Sequence, residues 1–265
     1  MKNKNIIIIA GPCVIESYDM LDETASGLKQ ICSKYSNIEL YFKASYKKAN
    51  RSSINSFTGV GGMKGLEWLK QISEKYTLKT LTDVHESSDV NIVASYVDVL
   101  QIPAFLSRQT DLLLAVAATH KQINIKKAQF MAPKDMNNVV EKILSKDNHR
   151  IWLTERGTCF GYHDLVVDFR NIVEMKKLKF PVIFDATHSV QQPSANLQFS
   201  GGQPEYIFPL TKAALAIGVD GIFFETHPDP INAKSDSATQ ISLNKVIDYI
   251  DMIMKLKNSI EDINN

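Results

Sequence analysis

Cysteine, net charge and long apolar runs are all scarce in this 265-residue chain, and each scarcity removes a class of protein. The three cysteines, Cys13, Cys32 and Cys159, are odd in number and far apart, which excludes a disulfide framework and leaves no paired zinc-finger spacing. A reducing cytosol is the expected setting. Lys and Arg number 30 against 29 Asp and Glu, a net charge of +1, so the bulk balance predicts neither nucleic acid nor a membrane surface as partner. No stretch approaches the ~20 apolar residues that span a bilayer, and the run from Ile6 to Ala10 is too short for a signal-peptide core. A soluble, cytoplasmic protein is expected. Linkers, low-complexity tracts and repeats of about 20–50 residues are also missing, which predicts one catalytic domain over residues 1–265.

What remains is an alternation of two textures. Short runs dense in Ile, Val and Phe occupy 5–11, 38–45, 78–84, 97–104, 122–129, 150–157, 180–188 and 219–227, apolar on both faces as buried parallel strands require. Longer amphipathic segments lie between them. Residues 20–35 place Leu21, Ala25, Leu28, Ile31 and Cys32 on one face, and 65–76 and 243–256 repeat that helical spacing. Parallel neighbours need crossover helices, and eight such units close into a (β/α)8 TIM barrel, typically of about 250 residues. An open doubly wound sheet would want Gly-x-Gly-x-x-Gly after strand one, where this chain has Gly-Pro-Cys. The long connections 47–65 and 191–204 follow strands two and seven, on the rim where barrels carry catalysis and lids.

Polar residues gather at the same end of every strand: Cys13, Lys43, Asp83 and His85, Gln101, Lys126 and Lys127, Glu155 and Arg156, Asp185 and His188, Glu225 and His227. A lone lysine after a strand is ordinarily a solvated loop charge. Lys43, Lys126 and Arg156, however, would converge on one barrel mouth and repel each other unless an anion compensates, which points to phosphate or carboxylate. The segment Lys47, Lys48, Asn50, Arg51, Ser52 and Ser53 reads by itself as a basic surface loop, yet its cations, amide and hydroxyls also suit a phosphate and a polyol. Cys13 reads on spacing alone as a small buried hydrophobe and His188 as a core histidine. Together with Glu225 and Asp236 they also make a mixed set, at adjoining strand ends, suited to zinc, iron(II), manganese or cobalt. Cys32 belongs to an apolar helix face, Cys159 to a rim loop, and His120 and His149 to the opposite end of the barrel. A metal-dependent hydrolase would favour His-x-His after strand one, which is absent.

The chain resembles the 3-deoxy-D-manno-octulosonate-8-phosphate synthases, also called 2-dehydro-3-deoxyphosphooctonate aldolases, over nearly its whole length. The likeness is carried by Ala-Gly-Pro-Cys-Val-Ile-Glu-Ser at 10–17, Phe-Lys-Ala-Ser at 42–45, Lys-Ala-Asn-Arg-Ser-Ser at 48–53, Thr-Asp-Val-His-Glu at 82–86 and Gln-Ile-Pro-Ala-Phe-Leu at 101–106. It continues through Arg-Gln-Thr-Asp-Leu at 108–112, Lys-Lys-Ala-Gln-Phe at 126–130, Thr-Glu-Arg-Gly at 154–157, Asp-Ala-Thr-His-Ser-Val-Gln at 185–191 and Glu-Thr-His-Pro-Asp-Pro at 225–230. The resemblance implies condensation of phosphoenolpyruvate with D-arabinose 5-phosphate, releasing inorganic phosphate, on the route to the Kdo of lipopolysaccharide. It implies that Lys43, Lys48, Gln101, Lys126, Arg156 and His188 hold phosphoenolpyruvate, and that Asn50, Arg51, Ser52 and Asp83 hold the sugar phosphate. Lys43, Lys48, His188 and Asp236 are the implied catalytic set. Arg108 matches a residue that reaches a neighbouring subunit's site, implying a homotetramer. Metal-independent members carry asparagine at the strand-one cysteine, so Cys13, with His188, Glu225 and Asp236, implies the class using a divalent metal ion. Asn55, Thr58 and the segment 192–200 depart from the family pattern and bear on loop closure. The related 3-deoxy-D-arabino-heptulosonate-7-phosphate synthases, which use erythrose 4-phosphate, typically read Lys-Pro-Arg-Thr where this chain reads Lys-Ala-Asn-Arg-Ser.

Overall fold

The computed structural model of the chain describes residues 5–51, 53–159, 164–192 and 201–264. Eight parallel strands form its centre: β1 (Ile6–Gly11), β2 (Ile38–Lys43), β3 (Lys79–Asp83), β4 (Val99–Ile102), β5 (Gln122–Lys126), β6 (Ile151–Glu155), β7 (Val182–Asp185) and β8 (Gly221–His227). They pair in sequence order, and β8 pairs back onto β1, with Ile7 opposite Gly221 and Gly11 opposite Glu225, so the sheet has no open edge. Helices α1 (Tyr18–Cys32), α2 (Gly62–Tyr76), α3 (Val90–Ala94), α4 (Thr110–Ala117), α5 (Met136–Leu144), α6 (Arg170–Lys176), α7 (Ile207–Ile217) and α8 (Val246–Asn264) make the outer layer. This is the TIM barrel expected from the alternating textures. Helix α1 starts where it does because the Ser17 hydroxyl accepts a hydrogen bond from Met20 N, with Asp19 in the first turn.

Strand parity divides the core in two. Side chains alternate across a strand, and Ile7, Ile9, Tyr41, Leu81, Val99, Trp152, Ile183 and Phe223 point inward as a buried apolar cluster, separate from the larger core between sheet and helices. Tyr41 and Trp152 meet edge to face at 4.8 Å and help fill the barrel floor. Two glycines allow the close backbone approaches. A Cβ on Gly221 would lie 2.6 Å from both Ile7 O and the Ile183 Cδ1 methyl, at the seam where β8 meets its neighbours. One on Gly11 would lie 2.0 Å from Lys43 O. On the rim, Thr158–Cys159 pairs antiparallel with Leu165–Val166, Gln191–Gln192 with Gly201–Gly202, and Ile241–Ser242 extends the sheet from β8.

Candidate active site

Counting in twos from the apolar floor builds the site. Tyr41 is followed on the inner face by Lys43, Leu81 by Asp83, Val99 by Gln101, Ile183 by Asp185 and Phe223 by Glu225. Asn124 leads to Lys126, and Thr154 to Arg156. Of these, Lys43, Asp83, Gln101, Lys126, Arg156 and Glu225 open into one cavity of about 370 Å³, also lined by Lys48, Asn50, Arg51, His85, Gln129, His188, Ser235 and Asp236, with Asp185 buried beneath it. The same count puts Lys127 and Glu155 on the outer face. There they form a fully buried pair, 3.6 Å apart, behind the barrel wall. The polar strand ends are therefore two sets, and only the inward one meets the cavity.

One end of the cavity gathers metal-ligand chemistry. Ligand atoms of Cys13, Glu225 and Asp236 lie within 4.8 Å of one another. His188 comes from the turn just beyond β7, and its Nε2 lies 3.5 Å from Glu225 Oε1 and 3.8 Å from Asp236 Oδ2. Asp185 determines how that ring faces. It is fully buried, its Oδ2 lies 2.8 Å from His188 Nδ1, and its Oδ1 accepts from His188 N at 3.0 Å. A carboxylate only accepts, so Nδ1 carries a proton directed at Asp185, and Nε2 is left as the nitrogen that faces Glu225 and Asp236 and is available to a metal. Glu225 Oε2 is buried without a hydrogen-bond partner. A thiol, an imidazole lone pair and two carboxylates, one with an orphaned oxygen, fit a divalent ion of the zinc, iron, manganese or cobalt type. Burial pushes the Cys13 thiol well up, and the charges of Asp236 and Glu225 push the same way. A bound cation would reverse that balance and yield the thiolate. Asp236 behaves oppositely: burial raises it, but Lys48 and His188 outweigh burial and hold it at about 2.

The remainder of the cavity is cationic, with buried anions interleaved. Lys43 Nζ donates to Glu225 Oε1 at 2.5 Å and to Cys13 O at 2.9 Å, tying β2 to the metal-ligand group. Lys126 Nζ is 2.5 Å from Asp185 Oδ2 and stands 3.6 Å above the Phe223 ring. Burial pulls Lys126 down, and nearby Lys43 adds to that pull, while Asp185 resists it. Arg156 Nη2 donates to Gln191 Oε1, whereas its Nη1 is buried without a partner, as are Arg51 Nε, His85 Nδ1 and Gln129 Oε1 on the same walls. Such orphans are rare in a core and mark where a ligand completes the bonding. Asp83 accepts from Ser45 Oγ and from Gln101 Nε2, and Gln101 Oε1 accepts from Asn124 Nδ2 at 2.9 Å. Burial raises Asp83, but Lys43 and Lys48 overcome it and hold the carboxyl well below its usual range. For Lys48 the balance runs the other way around the same anions: burial lowers it, but Cys13, Glu225 and Asp236 raise it further.

Most of the residues singled out from the sequence thus meet in one place. Lys43, Lys48, Asn50, Arg51, Asp83, Gln101, Lys126, Arg156, His188, Glu225 and Asp236 line the cavity, with Cys13 buried directly behind it. Ser52 and most of the divergent segment 192–200 lie outside the described residues. Arg108 is exposed and does not line the cavity. His188 lies in a short turn, not on the strand that the sequence pattern extended to 188. The sequence reading passed over Asp185 as a functional group, although its place two residues past Ile183 was a readable signal. It also missed Ser235 and Asn124, whose partners are remote in sequence.

Comparison with known proteins identifies the family. Residues 2–262 match the model of the DAHP synthetase I family. A 2-dehydro-3-deoxyphosphooctonate aldolase from Fusobacterium nucleatum is 50% identical over 258 residues, covering 95% of this chain and 92% of that protein. One from a Cyanothece strain is 49% identical, covering 96% of this chain and 92% of its own length. One from Campylobacter jejuni is 46% identical over 270 residues, covering 98% and 99%. The chain belongs to the DAHP synthetase I family and, within it, to the 2-dehydro-3-deoxyphosphooctonate aldolases.

Proposed function

We propose that this enzyme condenses phosphoenolpyruvate with D-arabinose 5-phosphate and water to give 3-deoxy-D-manno-octulosonate 8-phosphate and inorganic phosphate, in Kdo and lipopolysaccharide biosynthesis. The observation that carries the reading is one cavity lined by Lys43, Lys48, Arg51, Lys126 and Arg156 together with His188, Glu225 and Asp236, in which Lys126 is held at Asp185 and His188 while Arg51 is held at Ser235 next to Cys13. Two anionic substrates need two such cationic positions, held close enough for their carbons to bond. The relatives' name, 2-dehydro-3-deoxyphosphooctonate aldolase, is the name of this condensation.

In this reading Lys126, Arg156, Gln101 and Lys43 orient phosphoenolpyruvate with its C3 toward the sugar aldehyde. Asn50, Arg51, Ser52 and Asp83 hold D-arabinose 5-phosphate. The C3–C1 bond forms as the aldehyde oxygen takes up negative charge, water adds at C2, and the C2–phosphate oxygen leaves with inorganic phosphate. Lys43, Lys48, His188 and Asp236 surround the centre where charge develops. Cys13, His188, Glu225 and Asp236 would hold a divalent ion, which would supply Lewis-acid polarisation of oxygen there. The ligand set accommodates zinc, iron(II), manganese and cobalt alike. Arg108 is exposed and lines no part of the cavity, so it is available to complete a neighbour's sugar-phosphate site in a homotetramer. Among the described residues no helix is long and apolar enough to cross a membrane; a cytoplasmic enzyme with neither nucleic acid nor membrane as partner is the reading that the near-neutral sequence favours.

Phosphate release from phosphoenolpyruvate tests the assignment. It is expected to require D-arabinose 5-phosphate and to be weak with erythrose 4-phosphate. The reverse preference overturns it.

A further inference from the structure

Ser235 is part of no substrate or metal assignment above, yet it joins the two. Its side chain is buried, and its Oγ lies 3.0 Å from Cys13 Sγ and 2.7 Å from Arg51 Nη1. Arg51 Nη2 donates to the adjacent carbonyl, Lys234 O, at 3.1 Å. Arg51 therefore grips the chain at 234–235 with both terminal nitrogens. Its Nε is buried without a partner on the wall of the cavity. The next residue is Asp236, whose Oδ2 is 3.1 Å from the same Cys13 Sγ and whose backbone sits at φ 48°, a left-handed conformation that aspartate tolerates better than most residues. Gln240 closes the ring: it accepts from Cys13 N at 3.2 Å and donates to Ser235 O at 2.8 Å.

The geometry points to Ser235 as a positioning residue that couples occupation of the metal-ligand group to binding of the sugar phosphate, each favouring the other. This rests on the reading of Arg51 as a sugar-phosphate residue. A serine hydroxyl has one proton and two lone pairs. When Cys13 becomes a thiolate ligand, the Ser235 hydroxyl turns its proton toward sulfur, and its lone pairs remain for Arg51. Fixing Cys13 and Asp236 on an ion thereby fixes the 234–236 segment, and through it the guanidinium. Nε then faces the cavity with less side-chain freedom left to lose when an anion binds. Binding linkage is reciprocal, so an anion that immobilises Arg51 must tighten the metal by the same factor.

The test is a cobalt(II) titration of the chelated full-length enzyme, read by thiolate-to-cobalt absorption, with and without saturating D-arabinose 5-phosphate. Phosphoenolpyruvate is omitted, so no turnover occurs. For the wild type we expect the sugar phosphate to tighten cobalt about tenfold, within the usual span of coupling between sites. Ser235→Ala is expected to bind both ligands and lose the shift, and Ser235→Thr, which keeps the hydroxyl, to restore most of it. An unshifted wild type, or a shift that survives in Ser235→Ala, overturns the inference. Sugar-phosphate affinity measured directly in Arg51→Ala separates the two levels. If that affinity matches wild type, the substrate reading of Arg51 has failed and the coupling with it; if it is weakened while the wild type shows no shift, the coupling alone has failed.

Discussion

Asp185→Asn is the sharpest single test of how the site is held. The carboxylate is fully buried and serves two cationic or proton-bearing partners at once, Lys126 Nζ at 2.5 Å and His188 Nδ1 at 2.8 Å. Asparagine keeps the shape but offers one carbonyl oxygen and an NH2 group that repels donors. One partner must go unserved. If the amide faces His188, the ring proton moves to Nε2 and the metal-facing lone pair is lost. If it faces Lys126, a buried ammonium is left unpaired. Stranding one member of a buried ion pair costs about 3–5 kcal/mol. Losing the group that orients a ligating histidine costs about 10–100-fold in metal affinity. Urea unfolding of the chelated protein and a cobalt(II) titration measure the two separately. The sign with pH is also specified. Burial raises Asp185, but His188 and Lys126 outweigh it and hold the folded carboxyl well below its usual range. Its contribution is therefore present above an unfolded value of about 3.9 and is lost as pH falls through the folded one. The gap between wild type and Asp185→Asn should shrink as pH drops below about 4. A variant within about 1 kcal/mol of wild type at neutral pH, with unchanged cobalt affinity, would refute both the pairing and the tautomer, since either loss alone exceeds that.

Other perturbations follow from the same geometry. Lys126→Met should collapse kcat/KM for phosphoenolpyruvate, whereas Lys127→Met should leave kinetics near wild type and destabilise the fold by about 3–5 kcal/mol by orphaning buried Glu155, a contrast that steady-state kinetics and urea unfolding resolve. Burial already raises the Glu155 carboxyl, so the Lys127→Met deficit should grow as pH climbs above about 4, where the unfolded glutamate ionises. Chelation should abolish phosphate release and a divalent metal restore it; full activity after chelation, verified by metal analysis, would contradict the metal assignment, and metal-free activity in Cys13→Asn would mean that the ion mainly organises the site. Gly221→Val should cost about 3 kcal/mol or more, because its first added carbon already falls 2.6 Å from Ile7 O, and near-normal urea stability would exclude the tight seam between β1 and β8.

Where sequence pattern succeeded and where it stopped has one physical basis. Strand and helix periodicities are local, so the eight runs from 5–11 to 219–227 could be read directly and the barrel followed from chain-connection rules. That polar residues cluster at strand ends was local too. Which of two adjacent polar residues meets the cavity depends on parity, and parity becomes legible only once an inward residue is identified. Trp152 supplies that phase in β6: the inward positions then run to Thr154 and Arg156, and Glu155 must point outward to Lys127. The contacts that make the site chemical had no local trace at all. Lys43 meets Glu225 across 182 residues and Cys13 meets Ser235 across 222, because barrel closure brings the first strand beside the last. For the same reason Cys13 was ambiguous by spacing and became informative only through family resemblance.

Phe223 shows how the legible and illegible parts depend on each other. Its sequence signal is that of an ordinary core aromatic on β8, and it is fully buried among the floor residues. Yet its ring carries Lys126 Nζ at 3.6 Å and Lys43 Nζ at 5.8 Å and packs 5.6 Å from the His188 ring. Two ammonium groups near one aromatic ring receive partial compensation that no apolar aliphatic of similar volume provides. Phe223→Leu keeps most of the hydrophobic contact but removes that compensation, so its effect should divide unequally. Stability should fall by about 1–1.5 kcal/mol, the usual cost of a near-conservative core exchange. The kcat/KM for phosphoenolpyruvate should fall further than that loss explains, because Lys126 is no longer held over the floor. Urea unfolding set beside steady-state kinetics separates the two. Equal losses in both would mean that Phe223 is floor alone, and that Asp185 by itself positions the lysine.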